Sequence, residues 1–182
     1  YNDYEAINNV KTINDYAGIK PVKVDKDIID LILFAKDWYA KTGGRTNIAL
    51  GAVLSIWHDY REMGEGDPKS AKLPPMEELR EAKNHTDINS TVYLADNKMK
   101  LDVGAIAKGF ATEIVVKEIM AEGFTSGIIS PGGNIRVMGK PLEVVRERWG
   151  IGIQDPGKML VTAEENLLDT IFINNTSVVS SG

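Results

Sequence analysis

From Asp25 to Lys41 the apolar residues Ile28, Ile29, Ile32, Ala35, Trp38 and Tyr39 return at three- and four-residue steps, between an acidic start at Asp25 and Asp27 and a basic end at Lys41. That period predicts one amphipathic α-helix, with charges placed to suit its dipole. Thr42-Gly43-Gly44 predicts where it stops, because glycine takes positive φ freely. A second helical period follows Asp102: Phe110 and Ile114, and Ala111, Val115 and Ile119, recur at four-residue steps, which predicts a helix to about Glu122 ending at Gly123. Between these, Arg45 to His58 is apolar without a clean period and predicts a buried helix, or a turn and a helix. Residues 61–75 carry Gly64, Gly66, Pro68, Pro74 and Pro75 and predict a surface loop, and Met76 to Lys83 predicts a short exposed helix.

Alternating or short apolar runs predict the strands. Residues 1–24 read as a polar helix or turn broken at Gly18, followed by an extended edge at Lys20-Pro21-Val22-Lys23-Val24. Thr91 to Ala95, the turn residues Asp96-Asn97, and Lys98 to Leu101 have the form of a hairpin. Further on, Gly127 to Ser130 and Ile135 to Met138 flank the turn Pro131-Gly132-Gly133-Asn134. Arg148 to Ile153 alternates before the turn Gln154-Asp155-Pro156-Gly157, and two more strands are predicted at Met159 to Thr162 and Thr170 to Val179. The pattern is α+β, with antiparallel sheets and a few helices packed on them. At 182 residues without a composition break or internal repeat, a single domain over 1–182 is expected.

Composition narrows the partners. The net charge is −5 and the basic residues are scattered, so neither a nucleic-acid groove nor an anionic membrane surface is indicated. No cysteine is present, which removes disulfides, thiolate chemistry and zinc–sulfur sites. No apolar run of 18 or more residues is available to span a bilayer. The chain opens at Tyr1-Asn2-Asp3 without a methionine and closes at Ser180-Ser181-Gly182, so an excerpt of a longer protein is expected.

The chemistry concentrates in Leu101-Asp102-Val103-Gly104-Ala105-Ile106-Ala107-Lys108-Gly109-Phe110-Ala111, at a predicted strand-to-helix turn. A carboxylate at a strand end, a glycine permitting close backbone approach, a carbonyl, helix N–H groups and a lysine one turn later can together grip a charged, ring-bearing ligand. The same residues also make an ordinary turn with an acidic helix start and a solvated lysine. Other motifs are absent. Gly104 to Lys108 lacks phosphate-loop spacing, Gly150-Ile151-Gly152 lacks the third glycine of a dinucleotide fingerprint, and no G-x-S-x-G elbow occurs. His58 and His85 stand without ligand-spaced partners in the sequence.

Five segments in order resemble the ApbE family, the FAD:protein FMN transferases formerly called thiamine-biosynthesis lipoproteins. Asp102 to Ala111 is similar to the family's core motif. Thr42 to Gly51, with Trp57, is similar to T-x-G-A-F-D-x-x-x-G followed by Leu-Trp, and Pro131 to Ile135 to G-G-[DN]-I. Trp149 to Pro156 is similar to W-x-[IV]-x-I-x-[DH]-P, and Ser177 to Gly182 to a T-S-G ending.

The resemblance implies a tunnelling-fold-like α+β architecture and a bacterial, Mg²⁺-dependent enzyme. Such an enzyme cleaves FAD, attaches FMN through a phosphoester to a threonine or serine of an acceptor redox subunit, and releases AMP. It implies that Asp102 and Lys108 contact FAD, and that Arg45, Thr46 and Asn47 line the flavin or adenine pocket. It further implies that Tyr4 supplies an aromatic contact and that the backbone carbonyl of Ala105 is a magnesium ligand. The parent protein would be extracytoplasmic and held at the membrane through a lipid anchor outside this sequence. Two departures matter. The family's A-F-D is Arg45-Thr46-Asn47 here, an amide in place of a carboxylate, and its remaining magnesium ligands lie beyond T-S-G. The alternatives are a flavin-binding or scaffold protein without transferase activity and a pyrophosphatase that splits FAD to FMN and AMP.

Overall fold

The structure, a computed structural model, describes residues 8–83, 92–158 and 167–180. It divides into two compact units, Tyr1–Ile106 and Ala107–Gly182.

The first unit is helical. Its α1, Val10–Asp15, is only six residues long and owes its start to a reciprocal cap: Thr12 N–H donates to Asn9 Oδ1, and Asn9 N–H donates to Thr12 Oγ1. Ile13 on this short helix is 1% exposed and anchors it in the core. The predicted amphipathic helix is α2, Lys26–Lys41. It buries Leu31, Ile32 and Ala35 with Ile28 half-buried, an i, i+3, i+4, i+7 stripe, whereas Trp38 and Tyr39 face solvent near its end. The exposed Trp38 ring instead lies under the Lys41 ammonium.

The segment after the glycine stop forms α3, Gly51–Gly66, longer than its sequence predicts and not buried as expected: Leu54 and Trp57 are exposed. The predicted loop therefore starts only after Gly66. Arg61 and Glu65 pair one turn apart along this extension and support it, so Gly64 does not end the helix, which closes at Gly66. The 3₁₀ turn Pro68–Ser70, capped by Asp67, then leads to α4, Met76–Lys83, the short exposed helix predicted there.

Among the described residues three expected strands are not strands. Lys20 to Val24 pairs with no neighbouring strand, and Val92 to Ala95 and Lys98 to Leu101 form no hairpin ladder, Thr91 lying outside the described residues. The turn itself is present, with Asp96 Oδ1 accepting from Lys98 N–H at 2.8 Å. The flanking backbone is engaged elsewhere: Gly18 N–H donates to Leu94 carbonyl at 2.7 Å, and Asn14 takes both backbone groups of Leu101. A ladder would need those same groups.

The second unit carries the sheets. Helix α5, Gly104–Ala121, begins in the last residues of the first unit and runs into the second. It stops where predicted, with Gly123 at φ +97°. Strands β1 (Gly127–Ile129), β2 (Asn134–Met138) and β5 (Ser177–Val179) form an antiparallel sheet with β2 in the middle. Strands β3 (Trp149–Gln154) and β4 (Leu167–Ile173) form a separate antiparallel pair with a bulge at Ile153/Gln154. The single strand predicted over Thr170 to Val179 is thus two strands in different sheets. The break falls at Asn174-Asn175, where Asn175 adopts φ +46°, a conformation asparagine tolerates better than branched residues. The strand predicted at Met159 to Thr162 lies outside the described residues. Val116, Val137, Met138 and Ile151 form the core of this unit. The architecture is the α+β one read from the sequence.

Candidate functional site

In the first unit the structure brings two of the sequence segments together. Thr42 closes α2 by donating its hydroxyl to the Trp38 carbonyl at 2.7 Å, and the same oxygen accepts from Thr46 N–H at 3.0 Å. One side chain thereby fixes both the helix end and the course of Arg45-Thr46-Asn47. Arg45 is exposed, and Thr46 and Asn47 are half-buried. Asn47 Oδ1 accepts from Ala49 N–H at 2.9 Å, which turns the chain so that Ile48 and Ala49 enter the core. A carboxylate could accept that same bond, so the local turn does not require the family's acidic residue.

This strip then pairs with the segment leading to α5. Asp102 N–H donates to Ile48 carbonyl at 2.7 Å, Gly51 N–H donates to Lys100 carbonyl at 3.1 Å, and Leu50 and Lys100 form a parallel bridge. The approach is close enough to demand glycine: a Cβ on Gly51 would stand 2.6 Å from the Lys100 carbonyl oxygen.

Asp102 is half-buried, and its Oδ1 accepts from Gly104 N–H at 2.7 Å. The carboxylate thus sits on the first N–H of α5, favoured by the helix dipole. Ile106 N–H is taken by the Val103 carbonyl. Ala105 is the second residue of α5, and its carbonyl lies inside the helical hydrogen-bond pattern, not ahead of it. Its second lone pair is still available in principle, because a carbonyl oxygen has two. As a hard oxygen it suits Mg²⁺ in kind, and the further donors would be substrate phosphates, waters or groups beyond those described. Among the described residues no three His, Cys, Asp or Glu side chains gather as a metal site.

In the second unit, Lys108 on α5 reaches the turn before β2, with Nζ 3.4 Å from the Gly132 carbonyl oxygen. Next to it, Gly109 faces Asn134: a Cβ on Gly109 would lie 3.4 Å from Asn134 Nδ2. Lys108 and Gly109 of the core motif are therefore neighbours of the Gly-Gly-Asn turn. The far side of that turn is set by Gly133, at φ +84°, whose carbonyl accepts from Ser180 N–H at 2.9 Å. Tyr4, the remaining residue singled out in the sequence, lies outside the described residues.

Several residues with structural influence carried no signal in the sequence. Asn14, in an isolated polar stretch, holds Leu101 directly before Asp102. Thr112 is buried on α5 because its hydroxyl donates back to the Lys108 carbonyl at 2.6 Å. Arg136, 15% exposed in its side chain, pairs with Glu113 at 3.0 Å. A helical wheel can flag a threonine or an arginine on an apolar face, but not which partner satisfies it.

The fold recurs in solved structures. The ApbE protein from Thermotoga maritima matches 95% of this chain at a TM-score of 0.70 and 26% identity, and the flavin transferase ApbE from Vibrio cholerae matches 95% at 0.70 and 20%. These define an ApbE-type α+β fold. The ApbE family model matches residues 1–182, and the chain belongs to that family. A relative from Treponema pallidum named FAD:protein FMN transferase is 32% identical over 93% of this chain, and one of the same name from Klebsiella pneumoniae is 27% identical over all of it. The chain spans about half the length of these relatives, 49% and 55%, and 54% of each of the two solved chains.

Proposed function

We propose that this chain is the flavin-binding part of an FAD:protein FMN transferase. The observation that carries the reading is the backbone pairing of Ile48 to Gly51, which follow the strip Arg45-Thr46-Asn47 in the chain, with Lys100 to Asp102, together with the Asp102 carboxylate held on the first N–H of α5. The names of the relatives and the shared fold support it.

In this reading Asp102 accepts hydrogen bonds from N–H groups of the FAD rings, and its fixed Asx turn pre-orients it at little entropic cost on binding. Lys108, which is exposed, offers a cation to FAD. Arg45, Thr46 and Asn47 line the flavin or adenine pocket, and Tyr4 adds an aromatic contact. The reaction is a phosphoryl transfer in which a threonine or serine hydroxyl of the acceptor bonds to the FMN phosphorus. The pyrophosphate P–O bond breaks, AMP leaves, and the hydroxyl proton is released. Magnesium, held by the Ala105 carbonyl among other donors, would neutralise charge on the pyrophosphate as it divides. We place the parent protein outside the cytoplasm on a lipid anchor, with flavin-carrying redox subunits as acceptors.

The test incubates the full-length protein with FAD, Mg²⁺ and an acceptor domain bearing a threonine flavinylation motif. A flavin-fluorescent acceptor band that survives denaturation, with AMP released, is expected. AMP without that band assigns a pyrophosphatase instead, and neither product overturns the reading.

A further inference from the structure

Three contacts in the second unit lie along one side of α5. Lys108 Nζ approaches the Gly132 carbonyl, Gly109 faces the Asn134 amide, and Glu113 pairs with Arg136. Gly109 and Glu113 are four residues apart and therefore stack on one helix face, one turn from each other. The turn Pro131–Asn134 and Arg136 belong to one continuous segment, so the ion pair bears directly on how α5 meets that turn. Between them is a cleft of about 40 Å³ lined in part by Gly109, Thr112, Glu113, Asn134 and Arg136.

Arg136 does more than pair with Glu113. Its guanidinium also donates to the Val137 carbonyl and, at 3.4 Å, to Asn175 Oδ1 in the turn between β4 and β5. Asn175 N–H in turn donates to the Gly139 carbonyl at 3.3 Å. One planar fork with several donors thus ties α5, β2 and the β4–β5 turn together. The Arg136 side chain is 15% exposed and that of Glu113 43%, so solvent screens the pair less than it does the surface pairs Lys11–Asp15 and Arg146–Glu143, whose side chains are all more than half exposed.

We propose that Arg136 is a positioning residue for flavin binding: through Glu113 it fixes the roll and slide of α5 against β2, and so sets Lys108 at the Gly132 carbonyl. The inference rests on the flavin-transferase reading for its consequence, but its geometric core does not. Neither Arg136 nor Glu113 touches FAD in this assignment.

Two measurements on the full-length protein test it. The first needs no flavin: the rate at which Lys108 is acetylated by a water-soluble ester, followed by peptide mass spectrometry. Arg136→Met and Glu113→Gln are each expected to raise that rate about two-fold or more while other surface lysines keep theirs, and an unchanged Lys108 rate overturns the inference. Glu113→Gln keeps the bonds of Arg136 to Val137 and Asn175, so it remains informative where Arg136→Met folds poorly. The second is a double-mutant cycle on FAD affinity. Lys108→Met and Arg136→Met are each expected to weaken FAD binding, on the order of ten-fold and five-fold for a charged contact and its support. The double variant is expected to be no weaker than Lys108→Met alone. Multiplying losses would show that Arg136 acts through general stability and would overturn the positioning role. Failure of the unmodified protein to bind FAD would sink the flavin reading, and the acetylation result would then decide the inference.

Discussion

Asn14 holds Leu101 by both ends of its side-chain amide: Nδ2 donates to the Leu101 carbonyl at 3.0 Å and Oδ1 accepts from the Leu101 N–H at 2.7 Å, across 87 residues of sequence. The side chain thus takes the place of a neighbouring strand for the residue before Asp102. Leu101 is buried, so loss of the amide leaves two backbone groups without partners in a place water reaches poorly. Asn14→Ala is expected to lower stability by about 2–3 kcal/mol. Denaturant unfolding with amide exchange at Leu101 checks this. Unchanged protection of that amide would show that the clamp is dispensable.

Gly51 offers a contest between two effects of opposite sign. Alanine at the start of α3 favours the helix by up to about 1 kcal/mol. Its Cβ would overlap the Lys100 carbonyl at 2.6 Å, a backbone atom that cannot swing aside, at a cost of roughly 1–3 kcal/mol. Gly51→Ala is therefore expected to be destabilising overall. At the other end of the same helix Gly66 has open space, and Gly66→Ala is expected to stabilise by about 0.5 kcal/mol. Thermal melts of the two variants should move in opposite directions.

Asp102 serves the fold through Oδ1 and, in the proposed function, serves FAD through its charge. Asparagine keeps the acceptor and drops the charge, whereas alanine drops both. Asp102→Asn is expected to melt close to the unmodified protein and Asp102→Ala to lose about 1 kcal/mol. FAD affinity is expected to fall in both. Full FAD affinity in Asp102→Asn would remove the carboxylate charge from the binding account.

Gly133 stands at φ +84°, and a Cβ there would lie 2.8 Å from the Ser180 carbonyl oxygen. Gly133→Ala combines a left-handed backbone penalty of about 1–2 kcal/mol with that clash. The expected outcome is faster amide exchange at Ser180, whose N–H donates to the Gly133 carbonyl, with β1–β2 pairing kept. Equal loss of protection in both places would mean that the sheet melts as one piece.

The periodic elements were legible in the sequence because a helix face or a turn writes its own spacing. Residues 25–41, the stop at Gly123, and the turn at Pro131 to Asn134 all follow from short-range rules. The hairpin expected around Asp96-Asn97 does not form, because its backbone bonds go to Asn14 and Gly18, and a side chain replacing a strand leaves no pattern. Likewise α5 buries Thr112 where apolar spacing favoured Ala111 and Val115, since a threonine hydroxyl satisfied within its own helix costs little to bury. Asp102, Gly104 and Lys108 stood out as residue types suited to a ligand. Their partners Ile48 and Gly132 contribute only carbonyls, which any residue would supply, so no side chain announced them.

The bond from Asp102 N–H to the Ile48 carbonyl also bears on the order in which the first unit folds. It closes a loop of more than fifty residues, including all of α3 and α4, and loop closure of that span is entropically costly before other contacts reward it. Helices α2 and α3 rest on local contacts and form quickly, whereas Asp102 reaches its place only once the distant strip has docked. In pulsed exchange during refolding, the amide of Asp102 should gain protection later than those within α2. Chains caught before that step would hold their helices without yet offering a place for a ligand.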